Sequence, residues 1–225
     1  LSHNVVAEIR GRELPEEVVV MGCHLDSWDV GEGVHDDGAA CVAAWQALSV
    51  IHRLGMAPRR TLRVVLWTNE ENGLAGGPAY HDQVGDEVRR HVAAIEMDSG
   101  CERPVGFGFG LVGHDSDGSD PRYEAAFAKL AAIGRLLEPI DAGTISRGGG
   151  GADIAPLTRD GVPGLSLRTV GEHYFDWHHS PADTLDKVEP VNLRRATAML
   201  AVMGWALAEL PEPLLPPHGG LADTP

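Results

Sequence analysis

Short runs rich in Val, Ile and Leu alternate along the chain with longer, Ala-rich segments. Runs of this kind are typical of strands that are buried on both faces, and their alternation with helical segments is typical of a sheet covered by helices on both sides. The pattern therefore predicts an α/β fold. With 225 residues, the chain is long enough to form one domain of this class.

Six segments have the composition of strands, and five have the composition of helices. The predicted strands are residues 4–11, 16–24, 61–68, 91–97, 105–110 and 164–170. The predicted helices are residues 38–54, 74–84, 121–137, 153–160 and 191–209. The helix at 38–54 is apolar on nearly all sides, which predicts an interior position.

The ends of the chain differ in character. We expect residues 1–210 to form a single domain, since no linker or internal repeat divides them. Residues 211–225 are rich in Pro and Gly and lack periodicity, which predicts a flexible tail. No apolar stretch is long enough to span a bilayer, so no membrane insertion is expected.

The charge of the chain argues against some partners. With 18 Lys and Arg against 33 Asp and Glu, the formal charge is −15. Nucleic acid and anionic membranes need basic patches, so neither is an expected partner. The three cysteines form no CxxC pair, and they therefore suggest neither a disulfide framework nor a thiolate metal site.

Acidic and imidazole side chains follow four of the predicted strands directly. In open α/β sheets the ligand site lies beyond the carboxyl ends of the strands, so these side chains are expected to meet at one edge of the sheet. The residues at these positions are His24, Asp26, Asp36, Glu70, Glu71, Asp98, His178 and His179.

A bound cation would relieve the repulsion between carboxylates that crowd into such a cleft. Carboxylate and imidazole without thiolate suit zinc and, less selectively, cobalt or manganese. If Asp36 bridges two ions, each ion receives three protein ligands, and a shared water or hydroxide completes the coordination. Glu70 is then free to take a proton from that water as general base. The predicted ligands are His24, Asp36, Glu71, Asp98 and His179.

Four motifs carry a family resemblance. In this order, "GCHLDSWDVGEGVHDDGAA", "LWTNEENGLAGG", "EMDSG" and "HHSPADTLDKV" resemble the co-catalytic di-zinc exopeptidases, the family of bacterial aminopeptidases and glutamate carboxypeptidases. The "HLDSWDVGEG" stretch is similar to the plasma glutamate carboxypeptidase branch, whose members are dipeptidases. The resemblance covers about residues 4 to 209. It implies a phosphorylase/hydrolase-like, three-layer domain with a mixed, mostly parallel central sheet.

The resemblance also implies a role for each site residue. One zinc would be held by His24, Asp36 and Asp98, and the other by Asp36, Glu71 and His179. Glu70 matches the general base, and Asp26 matches the acidic residue that orients the ligand imidazole. His178 stands where related carboxypeptidases have an oxyanion-binding tyrosine. The bond between Asp36 and Asp37 is expected to be cis.

The chain departs from the family in one respect. Relatives have N-terminal segments ahead of the first strand seen here, and the plasma carboxypeptidase branch inserts a protease-associated domain, so this chain resembles a catalytic domain trimmed at its front. The resemblance implies a secreted, periplasmic or lysosomal location. The oligomeric state is open, with a homodimer as one alternative.

Two smaller features of the sequence, the histidine doublet at 178–179 and the glycine stretch at 148–151, have two interpretations each. The assignment of the ligand to His179 rather than His178 rests on its spacing to "ADTL". The "GGGG" stretch at 148–151 is either a flexible connector or a close approach of the backbone to substrate, followed by a helix capped by Asp153. Five further histidines lie off the strand-end edge and are expected at the surface: His52, His81, His91, His114 and His218.

The sequence thus predicts a zinc metallopeptidase that cleaves dipeptides or removes terminal residues from small peptides through a metal-bridging hydroxide. One alternative is a glutaminyl-cyclase-like acyltransferase with a single zinc, and the other is an inactive receptor or binding module on the same fold. The sequence does not decide which end of the substrate is recognised. Arg147 and Arg168 are the candidate cations for a substrate carboxylate.

Overall fold

The computed structural model describes residues 1–113 and 119–215 of the chain. The strands are β1 Val5–Ile9, β2 Leu14–His24, β3 Arg60–Trp67, β4 His91–Glu96, β5 Pro104–Gly110, β6 Thr144–Arg147 and β7 Gly164–Thr169. The helices are α1 Ala39–Arg53, α2 Gly76–Val84, α3 Pro121–Gly134, α4 Ala155–Arg159, α5 Tyr174–Trp177 and α6 Pro190–Glu209. Short 3-10 turns follow α2 and α3 and precede α6.

The seven strands form one sheet in the order β1-β3-β2-β4-β7-β5-β6. The four central strands β3, β2, β4 and β7 are parallel to one another. The strand β1 is antiparallel to β3, β5 is antiparallel to β7, and β6 is parallel to β5. The sheet is therefore mixed and mostly parallel, as the resemblance implied.

The alternation of side chains along the central strands produces two cores. On β2, Val19 and Met21 face a large cluster with residues of α1, α3 and α6, whereas Val18 and Val20 face a smaller cluster with residues of α2 and α4. Successive side chains of a strand point to opposite faces, so each continuous apolar run supplies both clusters. The result is a three-layer domain with helices on both faces of the sheet.

Most predicted elements are confirmed, with small shifts at their ends. The four-residue strand β6 was not predicted, and the predicted helix at 121–137 ends as an α-helix at Gly134. The helix α1 is less buried than its composition predicted, since Val42 and Trp45 are 54% and 51% exposed. No helix of the described residues is long and apolar enough to cross a bilayer.

Two predictions concern residues that the structure does not describe. Residues 216–225 of the expected tail at 211–225 lie outside the described residues, as do His114 and His218. The extent of the domain, residues 1–210, stays a prediction.

Candidate metal centre

The predicted site residues do meet at one edge of the sheet. The strands β3, β2, β4 and β7 are neighbours and run in the same direction, so their carboxyl ends lie side by side. His24 is the last residue of β2, and Asp26 and Asp36 lie in the segment that follows it. The segments that follow β3, β4 and β7 carry the remaining predicted residues. This edge is the ligand-binding position of an open α/β sheet.

One group of side chains surrounds His24. The Nε2 atom of His24 lies 3.0 Å from Asp36 Oδ1 and 3.6 Å from Asp98 Oδ1. The ring is buried, and its Nδ1 atom lies 2.9 Å from the backbone oxygen of Asp26. The backbone oxygen of Asp26 therefore orients the His24 ring. The resemblance implied that the carboxylate of Asp26 has this role.

A second group shares Asp36 with the first. The Nε2 atoms of His178 and His179 lie 3.4 Å and 3.2 Å from Asp36 Oδ2. His179 Nε2 also lies 2.8 Å from Glu71 Oε2. The two imidazole rings stack with their centroids 3.5 Å apart, and the ring of Trp28 lies 5.1 Å from that of His179. Both histidines of the doublet thus reach the site, and His179 is the one that also contacts Glu71.

The backbone around Asp36 is held by a residue that the sequence did not point to. The carboxylate of Asp183 accepts hydrogen bonds from the backbone N–H groups of Val34, His35 and Asp36, at 2.8, 2.6 and 3.1 Å. Asp183 is only 4% exposed. The bond between Asp36 and Asp37 is cis, as the resemblance implied. The sequence signal for Asp183 was the "ADT" stretch that follows the histidine doublet, but its spacing was used only to assign the ligand to His179.

The loop that carries Glu70 and Glu71 is held by Asp26. The carboxylate of Asp26 accepts hydrogen bonds from the backbone N–H groups of Glu70 and Glu71, at 3.0 and 3.3 Å. Asn69 and His179 adopt left-handed backbone conformations, with φ of 59° and 55°. Such conformations cost about 1–3 kcal/mol each and cluster at functional sites.

Burial and neighbouring charges shift the pKa values of the site. Burial would lower the pKa of His24, but hydrogen bonds to Asp36 and Asp98 raise it well above its ordinary value. Burial raises the pKa of Glu71 to about 7, and the charge of Asp36 adds to this shift. Burial also raises the pKa of Glu70, with a contribution from the charges of Asp98 and Asp36. The site therefore favours positive charge at its centre and a more basic carboxylate at Glu70.

Two further acidic residues lie beneath the site. Burial raises the pKa of Glu96 to about 8 and that of Asp153 to about 7, and the charge of Asp153 adds to the shift of Glu96. The backbone N–H of Ile154 donates to Glu96 Oε2 at 2.9 Å. Of the two interpretations of residues 148–151, the one in which Asp153 caps the next helix is wrong in that detail, because α4 begins at Ala155 with Ile154 as its N-cap. Neither carboxylate oxygen of Asp153 has a hydrogen-bond partner in the described part of the chain.

Comparison with known families identifies the fold. The model of peptidase family M28 matches residues 4–203. The chain belongs to peptidase family M28. Mouse carboxypeptidase Q is 40% identical over 213 residues, which are 95% of this chain and 43% of the relative. Leupeptin-inactivating enzyme 1 of Streptomyces exfoliatus is 26% identical, over 91% of this chain and 48% of the relative.

Solved structures give the same family. The crystal structure of a peptidase M28 precursor from Shewanella amazonensis superposes with a TM-score of 0.82 at 36% identity, covering 95% of this chain and 46% of that one. A zinc aminopeptidase from Bacillus subtilis has the same fold, with a TM-score of 0.71 at 18% identity, covering 92% and 50%. The chain thus spans less than half the length of the carboxypeptidase Q relatives.

The arrangement in this M28 chain contains two groups of side chains of the kind that hold a metal ion. In each of two groups, the ligand atoms lie within 4.8 Å of one another: His24, Asp36 and Asp98 form one, and Asp36, His178 and His179 form the other. Buried carboxylate oxygens of Asp36 and Glu71 have no hydrogen-bond partner among the described residues. Buried carboxylate oxygens normally have a partner, and an N/O ligand set of this kind suits zinc.

Proposed function

We propose that the chain is the catalytic part of a zinc metallo-exopeptidase that cleaves dipeptides or removes terminal residues from peptides. The observation that carries the proposal is the position of Asp36, whose two carboxylate oxygens face imidazoles of two separate groups. Membership of family M28 and the names of the relatives, a carboxypeptidase and a zinc aminopeptidase, support the same activity. Small peptides are the proposed partners, and a homodimer stays a prediction.

The proposed ligand set has two halves. His24, Asp36 and Asp98 would hold one zinc ion, and Asp36, Glu71 and His179 would hold the other. His179 is preferred to His178 because its Nε2 atom lies 2.8 Å from Glu71 and is also the nearer one to Asp36. When bound, zinc supplies a Lewis acid that polarises the peptide carbonyl and lowers the pKa of water.

Three residues of the protein have separate roles in the proposed reaction. Glu70, whose pKa is raised by burial, takes a proton from the attacking water and returns it to the leaving amine. Asp26 holds the backbone at Glu70 through the hydrogen bond to its N–H group. His178, half-buried beside Asp36, would donate a hydrogen bond to the oxyanion of the tetrahedral intermediate.

The variant Glu70→Gln tests the assignment of the base. We expect turnover of dipeptides to fall about 100- to 10,000-fold, since a general base contributes about that factor. Zinc content should stay at the wild-type value, because the proposed ligands remain. Glu172→Gln changes an exposed glutamate between β7 and α5; it is the matched control and should keep full activity. Activity retained in Glu70→Gln would show that the base is a different group.

A panel of unblocked dipeptides, with and without a chelator, tests the function as a whole. We expect hydrolysis that the chelator abolishes and zinc restores, with close to two ions per chain by metal analysis. Hydrolysis that survives the chelator contradicts the proposal. About one ion per chain would favour the single-zinc acyltransferase, and no hydrolysis with any metal would favour a binding module.

A further inference from the structure

A cavity of about 460 Å³ opens beside Asp98 on the α2 and α4 side of the sheet. This volume lies within the range of about 300–1,000 Å³ that is typical of small-molecule sites. Its walls are formed by residues 148–151 together with Glu96, Asp98, Ser99, Ser166, Leu167 and Arg168. A residue proposed as a metal ligand and a guanidinium group therefore line the same space.

The strand β7 carries Arg168 into this cavity by simple alternation. Leu165 and Leu167 belong to the large core on the opposite face, so Ser166 and Arg168 face the cavity side. Ser99 Oγ donates to the backbone oxygen of Leu167 at 2.7 Å, and Thr169 Oγ1 donates to the backbone oxygen of Ser99 at 2.6 Å. Two hydrogen bonds therefore tie the residues on both sides of Arg168 to Ser99, the residue that follows Asp98.

The guanidinium of Arg168 has N–H groups that are available to a ligand. Its Nη2 atom donates to the backbone oxygen of Gly148 at 3.2 Å. Within residues 1–113 and 119–215, no carboxylate lies within ion-pair distance of it, although the chain has 33 acidic residues. A guanidinium has five N–H donors in a planar fork that matches a carboxylate.

The second candidate cation of the sequence is engaged elsewhere. Arg147 pairs with Glu124 through Nη2 and Oε2 at 2.9 Å, and its guanidinium lies 4.6 Å from the centre of the Phe127 ring. Both partners are on α3, which packs on the face of the sheet opposite to the cavity. Of the two arginines, Arg168 is therefore the one that a ligand at the metal centre can reach.

One of the two acidic residues in the cavity wall is closed off. Glu96 is 1% exposed, and an added Cβ atom at Gly151 would lie 2.1 Å from its carboxyl carbon. This glycine therefore lets the backbone lie directly over the Glu96 carboxyl group. Arg168, in contrast, is exposed, and the other acidic residue of the cavity, Asp98, is a proposed zinc ligand. With zinc bound to Asp98, Arg168 is the charged group of this wall that is left for a ligand.

We propose that this cavity holds a carboxylate group of the peptide substrate and that Arg168 binds it. The inference rests on the proposed exopeptidase function and names the substrate class: peptides that carry a carboxylate close to the scissile bond. The carboxylate has two sources, the free C-terminus or an acidic side chain. A charge-assisted, bidentate pair of this kind gives both affinity and orientation.

Matched substrates tell the two sources apart in the zinc-loaded protein. Ala-Ala and its C-terminal amide differ only in the terminal carboxylate, and Glu-Ala-amide and Gln-Ala-amide differ only in the side-chain carboxylate. In Arg168→Gln we expect kcat/KM to fall about 10- to 100-fold for the carboxylate member of one pair, mainly through KM, and to change less than about twofold for its partner. Arg168→Lys should recover part of the loss, because it keeps the charge without the fork.

Arg159→Gln, an exposed arginine on α4, makes the same change in net charge and is the control. Equal losses for both members of both pairs, or no loss for any, would overturn the inference. Calorimetric titration with N-acetylalanine and N-acetylalanine amide separates this result from the proposed function. Binding of the acid that is weakened by Arg168→Gln supports the site even if the wild type hydrolyses nothing, and binding that is the same in wild type and variant overturns it.

Discussion

At the scale of single residues, the position of Asp36 depends on a side chain that is distant in the sequence. Asp183 receives three backbone N–H groups of the segment that contains Asp36. Glu32 adds a second tie between the two segments, since its carboxylate accepts a hydrogen bond from the backbone N–H of Leu185 at 2.9 Å. The central carboxylate of the site is therefore oriented by a buried residue that belongs to neither ligand group.

The variant Asp183→Asn tests this orientation. An amide keeps one acceptor but places an NH₂ group against backbone N–H donors, so we expect the free energy of unfolding to fall by about 1–3 kcal/mol. Zinc affinity should fall about 10- to 100-fold, as is typical when a residue that orients ligands is changed. Urea unfolding and a competitive chelator titration measure the two effects.

Asp186→Asn is the matched control for Asp183→Asn, since it lies three residues further on, is exposed and bonds to Thr184 and Lys187. It should change neither quantity measurably. Equal zinc affinity in Asp183→Asn and Asp186→Asn would show that the three hydrogen bonds do not orient Asp36.

Site residues could be predicted where the chemistry is local to a strand end. His24 ends β2, and Glu70, Glu71 and Asp98 follow their strands within a few residues, so strand prediction was enough to place them together. Asp183 was missed because its hydrogen bonds join residues that are 147 to 149 positions apart. Contacts between such distant residues produce no periodic pattern in the sequence. The prediction that His91 is a surface residue was wrong, because its burial depends on packing between elements.

At the scale of elements, a chain of hydrogen bonds joins two strands and a helix around His91. Arg63 Nη1 on β3 donates to Tyr80 Oη on α2 at 2.9 Å, and Tyr80 Oη lies 2.8 Å from His91 Nε2 on β4. His91 Nδ1 lies 3.1 Å from the backbone oxygen of Glu87. This pattern suits a neutral imidazole, which donates from Nδ1 and accepts at Nε2.

Burial lowers the pKa of His91 to about 4. Above pH 6.5 the ring is neutral in both folded and unfolded chains. Between pH 6.5 and 4 the unfolded chain binds a proton that the folded chain excludes, so stability is present above pH 6.5 and is lost as the pH falls. We expect His91 to account for a loss of about 3 kcal/mol over this window.

His91→Gln measures that loss by difference, through urea unfolding of the metal-free protein at several pH values. The unfolding free energy of the variant should fall less between pH 6.5 and 4 than that of the wild type. His52→Gln, an exposed histidine on α1, should follow the wild type. Parallel curves for the wild type and His91→Gln would mean that His91 titrates normally in the folded protein.

Elements were predicted well where composition alone identifies them. The strands β2, β3 and β4 are long apolar runs buried on both faces, and each was recognised within two residues of its ends. The strand β6 has four residues, none of them buried, and it exists because it pairs with β5. The exposed face of α1 was not predicted, because its residues, such as Trp45, are apolar although they face solvent. Composition alone therefore indicated burial on all sides of this helix.

At the scale of the whole molecule, negative charge is the dominant constraint. The formal charge is −15, and several of the carboxylates lie together at one edge of the sheet. Repulsion between them opposes folding unless positive charge is present at the same place. Bound zinc is therefore expected to stabilise the fold as well as to serve catalysis.

Removal of metal should lower the thermal midpoint of the protein. A ligand at about 1,000 times its dissociation constant stabilises the folded state by about 4 kcal/mol, and for chains of this size each kcal/mol shifts the midpoint by about 2–4 °C. We expect chelator-treated protein to unfold roughly 8–16 °C below zinc-loaded protein, as measured by calorimetry. Asp36→Asn should remove most of this difference, because Asp36 belongs to both ligand groups. Asp82→Asn, which removes an exposed carboxylate of α2, should keep it. Equal midpoints for the treated and loaded wild type would mean that this edge of the sheet gains no stability from a metal ion.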